Sequence, residues 1–378
     1  MPLLASLLLL AAPAVLTQHG CGQCHADAPQ PAGEQTCAGC HRALSSGAMD
    51  SERERYTPAV WERFKRRTAQ HFVNVPPLSG VSRLRASWVA GFLERPVKVR
   101  PRLSESMIRN RLSKEQRAEL AAGLGAQPDE PLPPKPSAER LARGAARFRA
   151  LGCPACHLAP SGAAAREQVL APDLSLTRLR MNHSAVVALL LAPPKDMPVR
   201  ASDPAEARLL ADWLVFGEVP REARPEIALP PPEGPAAVPS YEEVEARVFK
   251  AVCWHCHSNP DKAGGSGGPG MTGGFGYPAR RLSFASFEEV MAGSVGDDGQ
   301  RRSIFRKGTS GEPVLLEVLR ARYAEERGAV DLEAAPGMPL GLPALAPEDF
   351  ALVERWIRGG RRPPRVKGNG ADSPFGVR

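Results

Sequence analysis

Apolar side chains recur along this chain at the three-to-four-residue spacing that gives a helix one inward face. In SAERLARGAARFRALGC, Leu141, Ala145, Phe148 and Leu151 fall on one such face, and the helix runs directly into a cysteine pair. Farther on, DPAEARLLADWLVFG predicts a second helix. Asp203 is placed to cap it, Pro204 occupies its first position, and Leu210, Trp213 and Leu214 form the inward stripe. The same plan returns near the C-terminus: Val244, Val248 or Phe249, and Val252 lead into another cysteine pair, and Pro347 to Trp356 spans the same interval as Pro204 to Trp213. Earlier in the chain one helix carries Trp88, another starts at a capping box of Ser113 and Gln116, and TPAVWERFKRRTAQHF is amphipathic up to His71. The pattern predicts an all-α protein built from short helices.

Two proline-rich stretches, AQPDEPLPPKP (126–136) and VPREARPEIALPPPEGPAAVPS (219–240), cannot continue a helix and read as stiff spacers. They divide the chain into segments 17–125, 137–218 and 240–360, with 361–378 as a disordered tail. Residues 1–16, MPLLASLLLLAAPAVL, contain an apolar run of about fourteen residues, too short to span a bilayer and suited to the core of a secretory signal. Ala12-Pro13-Ala14 offers a small-x-small cleavage site, although no Lys or Arg precedes the run. The expectation is a soluble periplasmic or exported protein that touches a membrane only through an uncleaved signal. Aromatic residues are scarce, at 6%, and glycine (35) with proline (39) makes up about a fifth of the 378 residues. Each segment therefore has little with which to build a core.

The chemistry lies in the cysteines. All eight fall in four copies of one pattern: CGQCH (Cys21, Cys24, His25), CAGCH (Cys37, Cys40, His41), CPACH (Cys153, Cys156, His157) and CWHCH (Cys253, Cys256, His257). None is left for a structural disulfide, a thiolate nucleophile or an iron–sulfur cluster. Covalent haem attachment needs this pattern. Two thiols a few residues apart on one turn add across the porphyrin vinyl groups, and the next residue lies beneath the ring, where an imidazole binds iron. A zinc ribbon uses two Cys-x-x-Cys pairs around one metal and needs no histidine after each; only the first two motifs, sixteen residues apart, suit that reading. A thioredoxin-like dithiol would account for CPACH alone and leave the repeated histidine unexplained. The expectation is four covalently attached haem c groups, with the cysteines as tethers and His25, His41, His157 and His257 as proximal iron ligands. A porphyrin is also a large flat apolar body around which short helices collapse, supplying what the sparse cores lack.

With these motifs in place, segment 137–218 resembles the class I cytochrome c family. It has G-x-x-x-F-x-x-x-G-C-x-x-C-H on an opening helix, a methionine loop, and a closing helix with an aromatic residue. The resemblance implies His157 as proximal ligand, Met197 as distal ligand, and a crossing of the first and last helices near Phe148 and Trp213. The last segment is similar, with an insertion: Met338-Pro339 matches Met197-Pro198, implying His257 and Met338 as an axial pair. His255 reads as a solvent-facing bystander. The first segment is similar only in its back half, with a Pro-Leu turn, the Trp88 helix, an Arg-Pro approach to Met107, and a last helix. No opening helix is expected there, because only the leader lies upstream of Cys21. Its two motifs resemble those of multihaem cytochromes, in which the rings pack almost in contact. Met107 and His71 are the expected distal ligands of that pair, in either order, with His19 a further candidate. The implied fold is three small class I cytochrome c-like modules joined by proline-rich linkers, the first an atypical dihaem module.

Other residues have rival readings. Met181 and His183 compete with Met197, and Met271 with Met338, while Met49 and Met291 read as packing or surface residues. A G-x-G-x-x-G string from Gly265 to Gly270 has neither a preceding strand nor a following helix and reads as a flexible loop. The formal net charge is +8, but haem propionates would offset much of it. The arginine-rich helices read as solvated faces and propionate partners. No stacking aromatics are interleaved with them, so DNA and other nucleic acids are not expected partners; redox proteins are. If every iron holds two protein ligands, no position stays open for substrate. The expected role is then electron transfer between proteins rather than catalysis. Methionine ligation raises the reduction potential relative to a second histidine, so electrons are expected to run from the N-terminal pair toward the later modules. Two alternatives stay open. One is a haem enzyme with one open coordination site, peroxidase-like or sulfur-compound-oxidising, hosted by the CWHCH module. The other is an electron-transfer subunit of a larger redox complex.

Overall fold

In the computed structural model, several helices begin where a side chain satisfies the first free amides. The structure describes residues 13–29, 36–48, 74–100, 106–108, 112–157, 171–195, 197–198, 200–219, 237–254, 256–259, 280–327 and 335–364. In chain order the first elements are α1 (Cys37–Ser46), α2 (Ala86–Glu94), α3 (Lys114–Gly123), α4 (Ala138–Ala150) and α5 (Pro154–His157). Next come α6 (Thr177–Arg180), α7 (His183–Leu191), α8 (Pro204–Phe216) and α9 (Tyr241–Val244), the last continued by a π-helical stretch over Glu245–Cys253. The chain ends with α10 (Phe287–Ala292), the strands β1 (Ser294–Val295) and β2 (Arg301–Arg302), α11 (Val314–Glu326) and α12 (Pro347–Arg358). Among the described residues β1 and β2 form a single antiparallel pair, with Ser294 opposite Arg302 and Val295 opposite Arg301. The protein is mostly helical, as the hydrophobic pattern predicts. Its internal contacts divide it into two units, Met1–Thr36 with Asn74–Pro225, and Cys37–Val73 with Glu226–Arg378.

In the first unit α4 and α8 form the frame. The Ser137 hydroxyl caps α4 by accepting from the Arg140 amide, and the Asp203 carboxylate caps α8 by accepting from the amides of Ala205 and Glu206, with Pro204 in the first turn. The two helices cross at Gly144. A Cβ there would stand 2.6 Å from Trp213 Cβ and 2.8 Å from the Leu209 carbonyl oxygen, so no larger residue fits this approach. Beside the crossing the rings of Phe148 and Trp213 lie 4.5 Å apart at 45°. Val186, Leu190, Leu210 and Met181 complete the core. Helix α3 starts at the expected capping box: Ser113 Oγ accepts from the Gln116 amide while Gln116 Oε1 accepts from the Ser113 amide.

One expectation for this unit is corrected. Residues 13–18 are helical, and Val15 and Leu16 are buried with Leu112 and Leu120, so a helix does precede the first motif. An apolar run that reads as a leader also supplies core side chains. The stretch 126–136 is non-helical, as its prolines predict, and its first residues are also hydrogen-bonded into the unit. Gln127 donates its amide to Leu84 O (2.7 Å), and the Ala86 amide donates back to Gln127 O (2.8 Å). Asp129 accepts from Arg85 Nε and Ser87 Oγ, both at 2.6 Å, and the Glu130 amide donates to Asn182 Oδ1. Proline stops a helix, but its non-proline neighbours keep amides and carbonyls that must find partners.

In the second unit Ser240 caps α9, and the π-helical stretch carries Val248 and Phe249 into the core. Phe249 meets Trp356 of α12 edge-on, with centroids 5.7 Å apart, and Tyr241, Phe284 and Phe305 fill in around this pair. Helix α12 starts with Pro347 in its first turn, like α8 with Pro204. Helix α11 is an element the hydrophobic reading did not assign. It buries Leu315, Leu316, Leu319 and Tyr323 on the core together with the guanidinium of Arg322.

Candidate functional site

The first motif is shaped by the residue before it. Gly20 has φ 64°, in the left-handed region that glycine tolerates, and the chain then closes a tight turn over Cys21–Gln23. The Cys24 and His25 amides both donate to Cys21 O, at 3.2 and 2.9 Å, so both cysteines and the histidine share one turn. His25 is partly buried, and its Nδ1 lies 2.9 Å from Pro76 O. Asp27 fixes that proline loop by accepting from the Leu78 and Ser79 amides, each at 2.9 Å. Burial pushes the His25 pKa down, against the opposing pull of the Pro76 carbonyl and Asp27. A neutral imidazole has one N–H. Facing a carbonyl, Nδ1 must be the donor, which leaves the Nε2 lone pair for a metal, as in most histidine-ligated centres.

The third motif repeats each feature. Gly152 has φ 72°, the amides of Cys156 and His157 donate to Cys153 O at 3.2 and 3.1 Å, and His157 Nδ1 lies 2.9 Å from Pro172 O. Burial lowers the His157 pKa; the Pro172 bond opposes this, and the charges of Arg100 and Arg180 add to it. Met197 donates its amide to Pro194 O, and both Met197 and Cys153 border the core of the first unit. The rival ligands are otherwise engaged. Met181 is buried in that core, and His183 Nε2 lies 2.8 Å from the Asp212 carboxylate, which also accepts from Arg140 Nε at 2.5 Å.

The motifs of the second unit are built differently. Cys37 opens α1, in which Ala38, His41 and Leu44 are buried. Cys253 ends the π-helical stretch, and the Cys256 and His257 amides fold back on Cys253 O at 3.2 and 2.9 Å. The His257 carbonyl accepts from the Phe284 amide at 2.7 Å, and its ring meets Phe284 edge-on at 5.9 Å. Met338 borders the same core as Cys253 and Trp254. Its loop is fastened to α11 by five bonds. The Met338 amide donates to Val318 O (2.8 Å), Gly337 to Glu325, Ala344 to Glu326, Arg322 Nε to Leu342 O (2.6 Å), and Tyr323 Oη to Leu345 O. Sequence reasoning missed this frame; the alternation of Glu and Arg in LLEVLRARYAEE was the available signal.

Of the remaining candidates, Met107 is half-buried in an irregular segment, and Met291 packs on the core of the second unit. His19 is half-buried, and its Nε2 is shielded from solvent with no hydrogen-bond partner among the described residues. His71, His255, Met49, Met271, Gly265 to Gly270 and the Cys40 side chain lie outside the described residues.

Burial pushes Cys21, Cys37 and Cys153 upward, and Cys253 and Cys256 up to about 12. Reactive dithiols show the opposite shift, toward the thiolate. No described cysteine is in a disulfide, and no three His, Cys, Asp or Glu side chains converge as a metal cage among the described residues. What the motifs offer is a pair of thiols on one turn and an imidazole with its second nitrogen oriented. That donor set fits covalent haem. No helix among the described residues is long and apolar enough to cross a membrane. No family model, characterised protein or solved structure matches the chain.

Proposed function

We propose that the chain is a tetrahaem c-type cytochrome that carries single electrons between redox proteins, in the periplasm or another exported setting. The observation that carries this reading is the pair of bonds from His25 Nδ1 to Pro76 O and His157 Nδ1 to Pro172 O, both 2.9 Å, directly after Cys-x-x-Cys turns. Such a bond has no purpose in a redox dithiol and fixes the tautomer that an iron ligand needs. The cysteines Cys21, Cys24, Cys37, Cys40, Cys153, Cys156, Cys253 and Cys256 would form thioethers. His25, His41, His157 and His257 would take the proximal positions, Met197 and Met338 the distal positions of the third and fourth haems, and Met107 and His71 those of the first two. The bound group supplies an iron that changes valence by one electron. The residues fix imidazole orientation, close the axial positions against small molecules and keep water from the ring. With both axial positions filled by protein, this role is transfer and not catalysis.

The test uses protein made with a competent c-type maturation system. Intact mass should show four added porphyrins, and the ferric spectrum should be wholly low-spin. No porphyrin, or stoichiometric zinc, overturns the reading; a high-spin fraction that binds cyanide rapidly would move it to an enzyme.

A further inference from the structure

The first and third motifs lie in one unit and the second and fourth in the other. Build follows the same division. The first and third motifs share a left-handed glycine before the first cysteine, Gly20 at φ 64° and Gly152 at φ 72°, and a proline carbonyl on the histidine Nδ1. The second opens a regular helix and the fourth closes a π-helical one.

Inside the first unit a continuous seam joins the surroundings of the two motifs. The Arg85 amide donates to Arg180 O at 2.8 Å, and Arg85 Nη1 reaches Arg178 O at 3.4 Å. The Asp173 amide donates to Val99 O at 2.8 Å, and Asp173 directly follows the proline whose carbonyl orients His157. Val99 stands eight residues before Met107, a candidate distal ligand of the first two haems. Val99 is therefore hydrogen-bonded to the loop behind the third motif. In the second unit α1 buries Ala38, His41 and Leu44.

We propose that the haems pair across the sequence, the first with the third and the second with the fourth, each pair exchanging electrons as neighbours within its unit. This rests on the haem reading. In each exchange one ferrous iron loses an electron and its ferric neighbour gains it, so nothing beyond the four irons is required. The rival is pairing along the chain, first with second.

The experiment uses full-length holoprotein and four variants, each losing one tether pair: C21A/C24A, C37A/C40A, C153A/C156A and C253A/C256A. Mass is read first. Wild type without porphyrin sinks the haem reading itself, whereas four porphyrins in wild type and three in each variant leave only the pairing in question. Potentiometry then assigns each haem by the one-electron step that vanishes. Loss of the third haem should change the oxidised-to-reduced ratio of the first at fixed poise by about two- to tenfold, because a neighbouring charge has gone. Loss of the first should change the third equally, since coupling is reciprocal; the second and fourth should behave alike. A first-haem step that ignores loss of the third, or a second-haem step that ignores loss of the fourth, overturns the pairing. Where a tether variant does not fold, Met197→Ala keeps the porphyrin and makes the third haem high-spin. The electron-spin relaxation of the first haem should then quicken, and unchanged relaxation refutes the pairing.

Discussion

Gly144 and Gly91 provide a matched pair of substitutions within one unit. Both sit inside helices, α4 and α2, where glycine costs about 0.5–1 kcal/mol relative to alanine through lost backbone freedom. Around Gly91 a Cβ would meet nothing within 4 Å, so Gly91→Ala should recover that amount. Around Gly144 the new methyl would lie 2.6 Å from Trp213 Cβ and 2.8 Å from Leu209 O. Neither contact is the end of a flexible side chain, so the helices themselves must separate. Overpacking of this kind costs about 1–3 kcal/mol, and with rigid neighbours the upper half of that range applies. Net of the helix gain, Gly144→Ala should destabilise by about 1–2 kcal/mol.

The assay is thermal unfolding of the holoprotein followed by far-ultraviolet circular dichroism, with haem absorbance in parallel. At about 2–4 °C per kcal/mol for a unit of this size, Gly91→Ala should raise the first unit's midpoint by a few degrees and Gly144→Ala should lower it. Opening the crossing also displaces Phe148, which lies beside Trp213 and leads into the Gly152–His157 turn, so on the proposed haem reading the absorbance of a haem at the third motif should shift in Gly144→Ala alone. Equal effects of the two variants, or stabilisation by both, would refute the close crossing.

Three other substitutions probe the site. Amides of Leu78 and Ser79 hold the Asp27 carboxyl below its ordinary range despite the opposing effect of burial, so its contribution is present above about pH 4 and is lost as pH falls through the lower folded value. Protection of those two amides relative to intrinsic exchange should fall below that pH in the wild type and be lower at all pH values in Asp27→Ala. Ser113→Ala removes the capping-box acceptor of α3 and should cost about 1 kcal/mol in denaturant unfolding, with Ser113→Asn close to neutral. Arg322, 4% exposed, pairs with Glu325 (3.1 Å) and Glu326 (3.7 Å) and latches Leu342 O. Arg322→Met removes the cation facing two carboxylates, which keep only the Gly337 and Ala344 amides, and should cost about 3 kcal/mol. It should also free the Met338 loop, which on the proposed haem reading would be seen as loss of a methionine–iron charge-transfer band.

Local features were legible in the sequence because local forces decide them. Asp203 with Pro204, and Ser113 with Gln116, act on amides within three residues. The meeting of Phe148 with Trp213 was implied by the family resemblance, and Phe249 with Trp356 repeats it. What stayed hidden depends on distant partners. A buried Arg322 is tolerable only because Leu342 O and two glutamates converge on it, and no window around LLEVLRARYAEE shows the loop. The proline-rich 126–136 stretch reads as a spacer until Leu84, Arg85 and Asn182 come up beside it. The division of the chain between Thr36 and Cys37 has no local mark, since the two motifs it separates differ in sequence by two residues.

That near-identity of sequence with difference of setting bears on function. A Cys-x-x-Cys-His string fixes only its own turn, and in three motifs the same carbonyl, that of the first cysteine, gathers the following amides. What lies behind the histidine is set elsewhere. His25 and His157 each face a proline carbonyl, whereas His257 stands edge-on to Phe284. A carbonyl on Nδ1 makes the imidazole a stronger donor to a metal bound at Nε2. On the proposed haem reading, the two proline carbonyls would therefore favour the more highly charged ferric state of the first and third haems.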